Sequence, residues 1–70
     1  MEEKATIAKN IAALIKSSGK TNTQIALEIG LSKNVITEYV SGRSLPNLLT
    51  LRKLCQIFDC NYEDILGRLE

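Results

Sequence analysis

From Thr21 to Gly42 the chain reads TNTQIALEIGLSKNVITEYVSG, two short apolar stripes with one glycine near their junction. Ile25, Ala26 and Ile29 fall at helical spacing before Gly30, and Ile36, Tyr39 and Val40 do the same before Gly42. The spacing predicts two short helices that meet at a sharp turn. Gly30 suits that turn because the left-handed backbone region is one that a β-carbon disfavours. The helix starts are marked as well. Thr21 can cap the first helix while Gln24, three residues on, reaches back to it, and Ser32 can cap the second.

The rest of the chain follows the same grammar. Ile7, Ile11, Leu14 and Ile15 predict a helix that ends at Gly19. Arg43-Ser44-Leu45-Pro46 reads as a loop, and Asn47 can cap a fourth helix whose inner positions are Leu51, Leu54, Cys55 and Phe58. Asn61 can cap a fifth, with Glu63 and Asp64 in its first turn, where the helix dipole favours acids. Ile65 and Leu66 are expected to close the core, and Gly67 to end the helix. Leu69-Glu70 has the form of a cloning scar and carries no weight.

Seventy residues amount to one small domain over 1–70, here all-α, with 44% hydrophobic residues and a single proline. The apolar runs are too short to span a bilayer. No signal peptide precedes Cys55 and Cys60, so the reducing cytoplasm is the expected compartment. The net charge of +1 conceals a split. Residues 16–53 hold six basic against two acidic side chains, while residues 54–70 hold four acidic against one basic. A basic middle of this kind suits an anionic partner, although a mixed solvated surface would show the same imbalance.

Two short helices around a glycine turn form a helix-turn-helix, here at about 21–42. In that motif the second helix enters the major groove of double-stranded DNA and the first crosses the backbone. Positions 33, 34, 37, 38 and 41 share one helix face, and with Ser32 they present Lys33, Asn34, Thr37, Glu38 and Ser41. Lysine can donate to guanine, asparagine can pair with adenine, glutamate can accept from cytosine, and a threonine methyl can meet that of thymine. A purely solvated face would favour longer Glu, Lys and Gln side chains than most of these.

The segments TNTQIALEIGLS, ITEYVSGRSLP and LLTLRKLCQIFDCNYEDIL, in this order and spacing, resemble the Cro/lambda-repressor-like (XRE-type) helix-turn-helix family over roughly residues 7–67. The resemblance implies a compact five-helix domain that binds operator DNA, commonly as a two-fold dimer. It assigns Ser32, Lys33, Asn34, Thr37, Glu38 and Ser41 to the base-reading helix. It assigns Thr21, Asn22, Arg43 and Ser44 to phosphate, with Asn47 as an addition; Lys20 is a departure from the family, a lysine that could add a backbone contact or simply be solvated. The family usually has glutamine at position 22 and an apolar residue at position 20. Many members pair an arginine with a glutamate where this chain has Ile15 and Val40. Losing both partners of a buried pair to packed hydrophobes is tolerated, whereas losing one is not, so Ile15 and Val40 are expected to touch.

Other chemistries have less support. Cys55 and Cys60 lack CxxC spacing, and the chain has no histidine to complete a zinc set, so both are read as core and no metal or cofactor is expected. Tyr39 is read as core and Tyr62 as a candidate dimer contact. A catalytic pocket would have to be built without histidine in a very small globule, so no enzyme activity is expected. The competing function is protein interaction. Leu45, Leu48, Leu49 and Ile57 fall off the core stripes, and a contiguous patch of them would serve a second copy or a foreign partner such as a toxin.

Overall fold

The computed structural model describes residues 2–67. The elements run α1 (Glu2–Ser18), α2 (Asn22–Ile29), α3 (Lys33–Ser41), α4 (Leu48–Phe58) and α5 (Tyr62–Leu66). The five expected helices are all present, and no strand occurs among the described residues. α3 packs on both α1 and α2, α2 also packs on α4, and α5 closes the bundle against α1 and α4.

Each helix contributes one aliphatic side chain with no exposure at all: Ile11, Ile25, Ile36, Leu54 and Ile65. Burying each is worth roughly 1.5–3 kcal/mol, so every helix has its own anchor in the common centre. Ile15, Ile29, Tyr39, Leu51 and Cys55 pack around them. Val40 and Phe58 are partly buried against the same cluster, so Ile15 and Val40 belong to one apolar core.

The capping pattern explains the boundaries. Thr21 Oγ1 accepts from the Gln24 N–H at 3.1 Å, and Gln24 Oε1 accepts from the Thr21 N–H at 2.8 Å, which completes the capping box. Asn47 Oδ1 accepts from the Thr50 N–H at 2.8 Å. At α5 Asn61 is the N-cap, as expected, and the Asp64 carboxylate reaches back to accept from the Asn61 N–H at 3.0 Å. Asn61 marks the boundary, and Asp64 supplies the side-chain acceptor.

Two expectations about apolar residues need correction. Leu66 is exposed, because α5 is a single short turn with room to bury only Ile65 on its inner side. Ile57 lies partly buried against the core instead of off it, beside Phe58 at the end of α4. The Leu69-Glu70 reading lies outside the described residues.

Candidate nucleic-acid interface

The two central helices are joined by a hydrogen-bonded corner. Gly30 adopts φ 77°, and its N–H reaches the carbonyls of Ala26 and Leu27. The Leu31 N–H then donates to the Ala26 carbonyl at 2.9 Å. This doubly bonded helix end satisfies orphan carbonyls and brings the apolar Leu31 back over Ala26. Ser32 follows with extended backbone, and its hydroxyl accepts from the Val35 N–H at 3.4 Å. The direction of α3 relative to α2 is therefore set by backbone bonds, with Ile36 and Tyr39 buried beneath.

Above that base, Ser32, Lys33, Asn34, Thr37, Glu38 and Ser41 are all exposed, as the sequence predicts. Their donor and acceptor states differ. The Thr37 hydroxyl donates to the Lys33 carbonyl at 3.1 Å, and the Ser41 hydroxyl donates to the Glu38 carbonyl at 3.1 Å. Both hydroxyls thus spend their proton on their own helix and keep lone pairs, and in Thr37 a methyl, for other contacts.

The loop after α3 is seated on that helix. Gly42 turns the chain at φ 81°, and the Arg43 and Ser44 N–H groups both converge on the Glu38 carbonyl, at 3.0 and 3.4 Å. The Ser44 hydroxyl also approaches Glu38 Oε1 at 3.5 Å. Arg43 is exposed and Ser44 half-buried. The structure thus joins the proposed base-reading and backbone-gripping residues through one carbonyl, a link with no signal in the residue pattern beyond Gly42.

The remaining phosphate candidates divide. Thr21 is exposed and Asn22 half-buried at the start of α2, Thr21 being also the cap. Asn47 commits its side-chain oxygen to the α4 cap, leaving its amide hydrogens as its donors. Lys20 is not a free cation: its ammonium lies 2.8 Å from Glu28 Oε2. Spacing gave no warning of this pair, because eight residues separate the partners and Lys20 lies outside the helix that carries Glu28.

A second surface was only partly anticipated. Leu45, Leu48, Leu49, Tyr62 and Leu66 are exposed, and they meet in adjoining grooves that share Tyr62 and Leu66. Arg52 edges one groove and Glu3 and Glu63 the other. Leu27 is exposed separately on α2.

Among the described residues no cluster of three or more His, Cys, Asp or Glu side chains could hold a metal ion. Cys55 is buried and Cys60 half-buried, facing each other across the α4 terminus where the Cys60 N–H donates to the Cys55 carbonyl at 3.0 Å. Burial pushes both thiols up, Cys60 to about 11, with the neighbouring thiol and Asp64 adding to the rise at Cys60. These are protonated packing residues.

The family profile described as "Helix-turn-helix" matches residues 11–65, which span the whole of α2, α3 and α4. The chain belongs to the helix-turn-helix family. The XRE-type resemblance of the sequence is thereby borne out. The chain is similar to antitoxin PezA of Streptococcus pneumoniae serotype 4, 34% identical over 61 residues that cover 87% of this chain and 39% of that protein. It is similar also to the cryptic phage CTXphi transcriptional repressor RstR of Vibrio cholerae serotype O1. There it is 32% identical over 62 residues, covering 89% of this chain and 55% of RstR. The chain thus spans about half or less of each of these two relatives. Among solved structures it superposes on the SOS-response transcriptional repressor LexA of Eubacterium rectale with a TM-score of 0.90 at 26% identity, over 100% of this chain and 77% of that one.

Proposed function

We propose that this domain binds double-stranded DNA sequence-specifically as part of a transcriptional regulator, and that it represses. The observation that carries the reading is the α3 surface: six exposed, mostly short polar side chains on a helix whose direction is fixed by the Gly30 corner. Lys33, Asn34, Thr37 and Glu38 meet base edges in the major groove, with Ser32 and Ser41 at the ends of the row. Thr21, Asn22, Arg43 and Ser44 hold phosphates. Two of the similar proteins are named as transcriptional repressors, which supports the direction of regulation. Repression also needs least of the chain, since an occupied operator obstructs polymerase without any further surface.

The apolar grooves support dimerisation on DNA, a second copy covering Leu48, Leu49, Tyr62 and Leu66 around a two-fold axis. The same grooves, with one relative named an antitoxin, support the second reading, a protein-interaction domain. In either case the proposal is a single, non-catalytic, cytoplasmic unit; no helix among the described residues is long and apolar enough to cross a membrane.

Selection from a random duplex pool at about 50 and about 200 mM salt tests this, because phosphate contacts weaken steeply over that range. The expected product is a palindrome with half-sites about one helical turn apart. Salt-sensitive binding without a motif would remove the base-reading role of α3. No binding by folded protein would transfer the function to the protein-interaction reading.

A further inference from the structure

The Lys20–Glu28 pair bears on how tightly such a surface holds DNA. Lys20 lies immediately before the α2 cap, beside the candidate phosphate ligands Thr21 and Asn22. Its ammonium, however, is bonded to Glu28 at 2.9 Å to Oε1 and 2.8 Å to Oε2. Glu28 sits six residues beyond Asn22, roughly 9 Å further along the helix axis. The lysine side chain is therefore drawn along α2 towards its far end, and one ammonium cannot occupy both places. Both side chains keep more than a third of their surface in water, 37% and 39%.

Resting on the DNA-binding reading above, we infer that Glu28 is a positioning residue that withholds Lys20 from the phosphate backbone and so limits the number of phosphate contacts the domain makes. The carboxylate acts through the lysine and touches no nucleic acid. Wild-type protein grips DNA with one cation fewer than its sequence offers, which keeps non-specific affinity low and leaves discrimination to α3.

The test is a double-mutant cycle on duplex DNA, with wild type, Glu28→Gln, Lys20→Ala and the double variant titrated between about 0.05 and 0.2 M salt. Circular dichroism confirms folding, which substitutions at two solvent-exposed side chains should preserve. One added phosphate contact steepens the salt slope by about 0.9. Over that fourfold salt range, Glu28→Gln should therefore gain about 3.5-fold more affinity than wild type gains. The gain should vanish when Lys20→Ala is added, and Lys20→Ala alone should leave the wild-type slope unchanged. A gain that survives in the double variant would mean mere removal of a repelling charge, and would overturn the inference. Parallel slopes for wild type and Glu28→Gln would overturn it too, as would a flattened slope in Lys20→Ala alone. Those outcomes leave the DNA-binding reading standing; absence of wild-type binding at the lowest salt ends that reading and the inference together.

Discussion

The side-chain amide of Asn10 donates to the backbone carbonyl of Ile65, 2.9 Å away and 55 positions later in the chain. The acceptor belongs to the end of α5, a five-residue helix whose last carbonyls have no partner within the helix. Asn10→Ala should cost about 1 kcal/mol in urea unfolding. It should also speed amide exchange in residues 62–66 more than in α2 or α3. Equal acceleration throughout would show that the bond does not hold α5 in place.

Ile15 lies in the central core, and Val40 is partly buried against that core. If their side chains touch, Ile15→Ala and Val40→Ala will be non-additive, with a coupling of about 0.5 kcal/mol or more in a double-mutant cycle. Additivity would place them more than one shell apart.

Cys60 is pushed up to about 11, first by burial. The native state then holds its proton more tightly than the unfolded chain does. Stability is fully present below the ordinary thiol range and is lost as pH rises from that range through about 11. The urea midpoint should fall between those values, and less steeply in Cys60→Ala. At pH 8 the native thiol should have about two orders of magnitude less thiolate than an unperturbed one. Alkylation by iodoacetamide should accordingly be slow until urea is added.

Asn34 and Arg43 are both exposed, but their proposed roles predict different failures. Asn34→Ala should relax preference at one base pair of each half-site, a loss of about 1–3 kcal/mol in discrimination. Arg43→Ala should weaken binding to all sequences alike and reduce the salt slope by about 0.9. Competition assays with single-base operator variants separate the two. An unchanged preference in Asn34→Ala would remove it from the reading set.

The fold was legible in the sequence wherever one residue type has one cheap place to go. Thr21, Ser32 and Asn47 all cap as their positions predict, and Gly19, Gly30 and Gly42 take positive φ. The exposed face of α3 followed from helical spacing alone. What spacing missed depends on three-dimensional approach. Nothing in helical spacing joins Lys20 to Glu28 or Asn10 to Ile65, and the end of a single-turn helix left Leu66 in water.

The seat of the 43–44 loop is made by main-chain groups, both amides converging on one carbonyl of α3. Replacing the side chains at positions 33, 34 and 37 leaves those bonds intact. The domain thus behaves as a cassette, in which the outward lettering of α3 can be rewritten residue by residue while the scaffold that aims it keeps its shape. On the base-reading role proposed for α3, new target preferences are accessible to evolution, or to an engineer, without first redesigning the fold.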